Sequence, residues 1–481
     1  MKLNFEISKS KRKKLYIQLY DEIKNMIFTK QILPNEKLPS VRQLVNRFSL
    51  NSSTVLKAYE LLETEGHIYK IPGSGTYVKD RKNYVEDQEQ KPIIENFKYG
   101  QIRINESINF ASATPGVEVF PTKKFQESIN KVFHEAGGEA LKYHETQGFI
   151  GLRKVLAERL KYDFHDVYCS NIHITSGAQQ ALDLIKKSLL KPTSTLILSR
   201  PTYSGAINTF KGSCKIVTVE MLEDGFDMEE LEEILNQTNV NFVYTMINFQ
   251  SPTGIRWSHE KKMKLIELSK EYDFMIIEDD CLSELYFYDN PAAPLKTLDK
   301  DNRIIYIKTF SKILIPGMRL AYMIVPKELS PQMVAAKFAS DISTSGLNQR
   351  ALTFLLRDGF LENHLEETRK LFRKKFELIV ELIEEIQDLE IYYRPEGGFY
   401  IWIILPNFIN SNDLYLELKK RGVSILPGNV FYPDGAKDNR IRISFAAVTE
   451  DEIKIGIKIL NDTVMSFKKI NNSSDDFMPI I

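Results

Sequence analysis

Leu15, Leu19, Ile23 and Ile27 recur every four residues near the start of the chain, the apolar stripe of an amphipathic helix. Pro34 and Pro39 interrupt that pattern. Ser40 then stands where it can cap a second helix whose Val41, Leu44, Val45 and Phe48 face inward. A short turn, residues 49–51, leads into a third helix that Ser52 or Ser53 can cap. Its Val55, Tyr59 and Leu62 form one face, and Ser53, Thr54 and Lys57 are left on the other. After Gly66 a strand-like run over residues 67–71, the turn Pro72-Gly73-Ser74-Gly75 and the run 76–78 predict a hairpin. Two short helices joined by a tight turn and followed by a hairpin make an α+β winged helix-turn-helix. The tip Gly73, Ser74 and Gly75 can approach a phosphate backbone closely because glycine carries no side chain.

The pattern changes twice more. Residues 80–105 are rich in Lys, Glu, Asp, Gln and Asn and poor in apolar positions, so they read as a tether that cannot bury enough surface to fold alone. From about residue 108 helical stretches alternate with short β-rich runs at 171–174, 195–198, 241–247, 274–277, 304–307 and 320–325. Continuous apolar strands between helices predict an α/β domain with a parallel sheet covered on both faces. The stretch from about 352 to the end reads as a smaller α/β unit. The expected domains are therefore 1–79, a linker over 80–105, and 106–481 with a small subdomain over about 352–481.

Composition narrows the function classes. No apolar run approaches the ~20 residues of a membrane span, and the basic start lacks the apolar core of a signal peptide. Cys169, Cys214 and Cys281 are scattered, without the spacing of a zinc site, so no metal site is expected and a reducing, cytoplasmic address is. The chain has 64 basic and 64 acidic residues, but residues 1–80 carry 14 Lys and Arg against 8 Asp and Glu. That head of +6 on a body of −6 suits a module for double-stranded DNA fused to something else.

Four strings in the large domain carry chemistry. Lys312, in Thr309-Phe310-Ser311-Lys312, follows a strand, sits beside hydroxyls and precedes Arg319 by one short loop. Those groups suit an aldehyde cofactor bearing a phosphate, the lysine condensing with the aldehyde while Thr309, Ser311 and Arg319 hold the phosphate. Ser176, Gly177, Ala178 and Gln179 follow a strand and open a helix, whose free N–H groups form a phosphate site. In Glu278-Asp279-Asp280 a carboxylate at a strand end can pair with a protonated ring nitrogen. Arg440 and Arg442 alternate along a strand after Gly397-Gly398-Phe399, and either can offer a fork to a carboxylate.

The N-terminal strings, Lys37 to Arg42, Thr54-Val55, Ala58-Tyr59, Glu65-Gly66 and Gly73 to Thr76, resemble the GntR-type winged helix. The resemblance implies DNA binding with Arg42 on the backbone; Ser52 stands where relatives commonly carry arginine, so the sequence preference is this chain's own. The lysine string resembles the pyridoxal-lysine motif of fold-type I aminotransferases. Together the halves are similar to the MocR/GabR regulators. That resemblance implies pyridoxal 5'-phosphate as cofactor, a small amine, amino acid or the cofactor itself as effector, and a homodimer. It assigns Asp279 before Asp280 to the ring nitrogen, Tyr203 to the cofactor face, Arg442 to an effector carboxylate, and Tyr143 to a neighbouring subunit's phosphate. The resemblance also places Cys281 and Ser251 where relatives usually carry tyrosine and often asparagine or an aromatic beside the ring's 3-oxygen; a thiol is a poor donor there and a serine short, so turnover is expected to be weak or absent. The alternative is a working aminotransferase of the 2-aminoadipate type that carries a DNA-binding head.

Overall fold

A computed structural model describes residues 14–28, 32–33, 36–48, 50–64, 67–71, 74–78, 108–288, 293–435 and 439–475. It divides into two compact units, residues 1–95 and 96–481. The expected tether and Gly73 lie outside the described residues.

In the first unit α1 (Leu15–Phe28), α2 (Val41–Phe48) and α3 (Ser52–Thr64) precede a hairpin of β1 (Ile68–Ile71) and β2 (Gly75–Val78). Leu19, Ile23, Leu44, Val55, Tyr59 and Leu62 meet in one core, each burial of a large aliphatic side chain stabilising by about 1.5–3 kcal/mol. Ser40 caps α2 reciprocally: its hydroxyl accepts from Gln43 N–H at 3.3 Å, and Gln43 Oε1 accepts from Ser40 N–H at 2.7 Å. The third helix differs from expectation in its start. Ser52 and Ser53 belong to its first turn, and the Asn51 carbonyl already accepts from Thr54 N–H. Tyr59 donates from its buried hydroxyl to Pro39 O at 2.6 Å, tying α3 to the chain ahead of α2.

The second unit is built on an eight-stranded sheet, with β3 (Ile108–Asn109) outside it. Its strands are β4 (Ile172–Thr175), β5 (Thr195–Arg200), β6 (Lys215–Leu222), β7 (Gly225–Phe226), β8 (Phe242–Thr245), β9 (Met275–Asp280), β10 (Ile304–Thr309) and β11 (Ala321–Ile324), in the order β4-β11-β10-β9-β8-β5-β6-β7. Helices α4 (Thr122–Ala136), α5 (Ile150–Leu160), α6 (Ala178–Leu189), α7 (Ser204–Phe210), α8 (Met228–Gln237), α9 (His259–Glu271), α10 (Ser330–Asp341) and α11 (Gly346–Arg357) accompany it. One apolar cluster joins the sheet to α6, α7 and α10, and another joins it to α8 and α9.

The sheet is mixed, not wholly parallel as expected. Strand β11 runs antiparallel to both β10 and β4, and β7 antiparallel to β6. Residues 310–320 make the β10–β11 connection without an α-helix, shorter than the dozen or more residues a parallel crossover needs. Two reversals restore β4 to the direction of β10, β9, β8 and β5. The carboxyl ends of these five strands therefore open on one edge, where ligands of open α/β sheets bind.

The remaining chain forms α12 (Phe360–Glu384), β12 (Glu390–Ile391), β13 (Tyr400–Ile404), α13 (Ser411–Lys420), β14 (Val423–Ser424), β15 (Leu426–Pro427), β16 (Arg440–Ser444) and α14 (Glu450–Asp475). Strands β12-β13-β16-β15 make an antiparallel sheet, and β14 pairs with β3 in parallel. The segment after residue 108 thus returns to the C-terminal part, and Phe110 O accepts from Ser444 N–H at 2.8 Å.

Candidate functional site

The strand ends converge on a pocket of about 420 Å³. Lys312 enters it from the turn after β10, Asp279 from the end of β9, and Arg442 from the middle of β16. Thr309, Ser311, Arg319, Tyr203, Ser251, Cys281, Ala178 and Gln179 also line it. Ser176 and Gly177 stand behind the lining. Ser176 N–H donates to Gln180 Oε1 at 2.7 Å and its hydroxyl turns to Thr344, so its hydroxyl is engaged away from the pocket. Gly177 (φ +90°) makes room for Arg319: a Cβ there would lie 2.6 Å from Nη2. Arg319 itself takes a left-handed conformation (φ 52°, ψ 50°) and donates from Nη2 to Ser176 O at 3.1 Å. Such an outlier costs on the order of 1–3 kcal/mol and persists where its surroundings fix it. Tyr143 is 83% exposed and lies outside the pocket lining of its own chain.

Alternation along β9 separates the two aspartates. Asp280 faces Lys308 (3.1 Å), Tyr306 (2.6 Å) and the Ser283 hydroxyl (2.8 Å). Burial pushes its pKa up, but Lys308 and these donors hold it below the usual carboxylate value. Asp279 faces the pocket. Burial raises its pKa to about 6 against the lowering bond from Tyr244, whose hydroxyl donates to Oδ2 at 3.0 Å. Its Oδ1 is buried without a partner. The two arginines of β16 are separated as well. Arg442 lines the pocket, while Arg440 lies over the Tyr392 ring.

Lys312 donates from Nζ to Ala113 O at 2.7 Å, and burial with Arg442 and Arg319 nearby brings its pKa down to about 8. Arg442 donates from Nη2 to Ala111 O and lies over the rings of Tyr400 (4.9 Å) and Phe431 (5.5 Å). Its Nε has no partner, nor does the buried Ser311 hydroxyl. Tyr203 packs against Gly205, where a Cβ would strike its ring, and its phenol is pushed up to about 12 by burial.

Sequence reasoning missed Tyr400, Tyr244, Asn109 and residues 111–114 as parts of this site. Tyr400 stands two residues after the double glycine, where Gly397 and Gly398 admit Phe249 against the backbone, so a local signal existed. For Tyr244, Asn109 and residues 111–114 only the fold supplies the proximity.

One expected result concerns Tyr244. Tyr244→Phe removes the bond that opposes burial, so the Asp279 carboxyl should stay protonated to a higher pH than about 6. A tenfold change, about 1.4 kcal/mol, is the expected size. Infrared titration of the free protein checks it; an unmoved carboxyl titration would show that the phenol does not tune Asp279.

In the first unit Arg42, Arg47, Ser40, Ser74 and Gly75 line one groove of about 1140 Å³. Ser52, Ser53 and Lys57 are exposed on α3, with Thr54 half-buried, and none of them lines that groove. Ser74 Oγ lies 2.6 Å from Tyr77 OH, and Leu38 N–H donates to Thr76 O at 2.8 Å, holding the wing against the chain before α2. Among the described residues no helix is long and apolar enough to cross a membrane.

Known proteins match both units. The aminotransferase class I and II family matches residues 106–460, and the bacterial regulatory proteins of the gntR family match residues 15–78. YdfD of Bacillus subtilis, described as an uncharacterized HTH-type transcriptional regulator, is 30% identical over 94% of this chain and 96% of its own. The 2-aminoadipate transaminase of Thermus thermophilus is 32% identical over 73% of this chain and 89% of its own. The crystal structure of LysN, the alpha-aminoadipate aminotransferase of Thermus thermophilus complexed with N-(5'-phosphopyridoxyl)-L-leucine, superposes with a TM-score of 0.72. It shares 30% identity and covers 78% of this chain and 99% of that one. The cofactor of this fold is pyridoxal phosphate, and the pocket's unpartnered carboxylate oxygen, hydroxyl and guanidinium nitrogen fit a cationic ring nitrogen and anionic groups. The chain belongs to the aminotransferase class I and II family, joined in the MocR-type arrangement to a winged helix of the gntR family.

Proposed function

We propose that this protein is a DNA-binding transcription regulator whose aminotransferase-like unit senses a small amine, an amino acid or pyridoxal phosphate. The observation that carries the reading is a winged helix with an exposed basic groove on the same chain as a pocket equipped with Lys312, Asp279 and Arg442.

Bound pyridoxal phosphate supplies an aldehyde that condenses reversibly with amines and a ring that draws off electrons. Lys312, with its pKa near 8, keeps roughly a tenth of its amine unprotonated and nucleophilic at neutral pH. Asp279 offers Oδ1 to a ring N–H, and its charge favours the protonated ring. Ser311, Thr309 and Arg319, with the N–H groups that open α6, serve the phosphate; Tyr203, Ser251 and Cys281 border the ring. Arg442 takes a carboxylate in place of the Ala111 carbonyl. Tyr143, exposed on its own subunit, serves the cofactor phosphate of a second subunit in a homodimer.

The deciding experiment measures promoter binding and amine transfer on one preparation, with and without pyridoxal phosphate and a panel of amino acids. DNA affinity that responds to a ligand supports the regulator. DNA affinity indifferent to every ligand, with rapid multiple turnover, supports the second reading, an active 2-aminoadipate-type aminotransferase. That reading is favoured by the intact Lys312, Asp279 and Arg442 set. Cys281, whose thiol burial pushes upward, and the buried Ser251 argue for slow turnover.

Arg42, Ser52, Ser53, Thr54, Lys57 and the wing Gly73 to Gly75 are the proposed DNA contacts. Arg42→Ala is expected to weaken binding about equally on all sequences and to reduce the salt slope by about 1. Binding isotherms across a salt series on two unrelated duplexes check this; a loss confined to one duplex would mean that Arg42 reads bases.

A further inference from the structure

Behind the turn that opens α6 lies a buried charge that none of the roles above uses. Lys337, on α10, has a side chain 0% exposed. Its Nζ donates to Asp341 Oδ1 at 2.7 Å and to Thr344 Oγ1 at 2.9 Å. Asp341 Oδ2 accepts from Gln180 Nε2 at 2.9 Å, Gln180 Oε1 accepts from Ser176 N–H at 2.7 Å, and Ser176 Oγ reaches Thr344 Oγ1 at 3.4 Å. The bonds close a ring: Ser176, Gln180, Asp341, Lys337, Thr344 and back to Ser176. The ring is anchored at its far side, where Gln349 donates from Nε2 to Thr344 O at 2.9 Å and accepts from Phe149 N–H at 2.7 Å.

An ion pair with one member wholly buried and the other, Asp341, a quarter exposed is a poor way to gain stability, because desolvation offsets much of the attraction. What such a pair does well is fix a geometry, since each member loses much if its partner moves. Here the geometry fixed is that of Ser176. Its N–H and hydroxyl are both turned toward the ring, which leaves its carbonyl to receive Arg319 Nη2 at 3.1 Å. Arg319 packs over Gly177 and lines the pocket. Ala178 and Gln179, whose N–H groups come before the first carbonyl the helix can offer, follow directly, and Gln180 N–H already donates to Gly177 O at 3.2 Å.

We propose that Lys337 and Asp341 are positioning residues for the phosphate end of the cofactor, acting through Ser176 on Arg319 and on the opening turn of α6. The proposal rests on pyridoxal phosphate as the ligand of the pocket. It assigns the pair no contact with the ring or the aldehyde, so its effect is confined to recognition of the phosphate.

The test compares pyridoxal phosphate with pyridoxal, which lacks the phosphate, in the full-length protein. Apparent dissociation constants come from visible absorbance for wild type, Lys337→Met and Thr344→Val, with thermal unfolding recorded beside them. Wild type should prefer the phosphorylated form strongly. Both variants should lose about tenfold in affinity for pyridoxal phosphate while pyridoxal changes less than twofold, and inorganic phosphate should compete less well. Equal weakening of both ligands would mean a merely structural role and overturn the proposal, as would an unchanged affinity for pyridoxal phosphate. Thr344→Val keeps shape and removes only the hydroxyl, so it decides the matter if Lys337→Met does not fold. A wild-type protein that binds neither ligand would end the cofactor reading and this proposal together.

Discussion

Lys312→Ala is expected to abolish covalent attachment of pyridoxal phosphate completely, while contacts at the phosphate end retain noncovalent binding. Borohydride should fix the cofactor to wild type and give a labelled peptide containing Lys312, and should leave the alanine variant unlabelled. The chemistry needs the unprotonated amine. Burial, with the cations Arg442 and Arg319, depresses the pKa of Lys312 to about 8. Below that value the amine is mostly protonated, so attachment to the free protein should accelerate about tenfold per pH unit and level off above about 8. An ordinary lysine would continue to accelerate to about 10.4. Rapid-mixing absorbance at a series of pH values checks the profile. Label on the alanine variant, or wild type that stays colourless with excess cofactor, would remove Lys312 from its role.

The parts of the site that were legible are those written in contiguous residues. Lys312 follows an apolar strand by one short turn and Asp279 sits near the end of another, and a run such as residues 304–307 announces that strand before any fold is known. The winged helix was legible for the same reason: its stripe, cap and turn are local, and Leu19, Ile23 and Leu44 are buried as the spacing requires. What depends on register was not. The alternation of Asp279 and Asp280 is visible, but which side bears Lys308 follows only from the pairing of Lys308 with Asp280 across β10 and β9. Arg440 and Arg442 differ by their neighbours across β16. Arg442 is flanked by Trp402 on β13 and Leu426 on β15, whereas Arg440 lies opposite Ile404 beyond the reach of β15.

Long-range returns of the chain were least legible. Asn109 and residues 111–114 enter the pocket because β3 pairs with Val423 and Ser424, more than three hundred positions away. Ser176 carries a signal that is only half local. Its place at a helix start is that of a phosphate ligand, while its hydroxyl lies 3.4 Å from Thr344 Oγ1. A short polar side chain at such a turn can face either way, and the sequence of the turn contains nothing of α10 to decide it.

Arg442 is the residue whose loss should change ligand selection most. Its guanidinium is buried, lies over the rings of Tyr400 and Phe431, and is bonded through Nη2 to the Ala111 carbonyl, with Nε left without an acceptor. A planar fork held in that way matches a carboxylate and gains from the loss of water around it. Removing one partner of a buried, hydrogen-bonded charge pair costs about 2–5 kcal/mol, which at 1.4 kcal/mol per tenfold is roughly 30-fold to several thousandfold in affinity. Two probes separate this contribution from general damage: L-alanine, which carries the carboxylate, and ethylamine, which lacks it. In wild type with cofactor, L-alanine should perturb the visible spectrum at far lower concentration than ethylamine. In Arg442→Met that preference should vanish, with ethylamine unchanged. Arg442→Lys should recover little, because a single ammonium cannot reproduce the planar fork. Equal weakening of both amines would place the effect on the cofactor rather than on the carboxylate. An L-alanine response that survives Arg442→Met would move the carboxylate site elsewhere, with Arg440 the next residue to substitute.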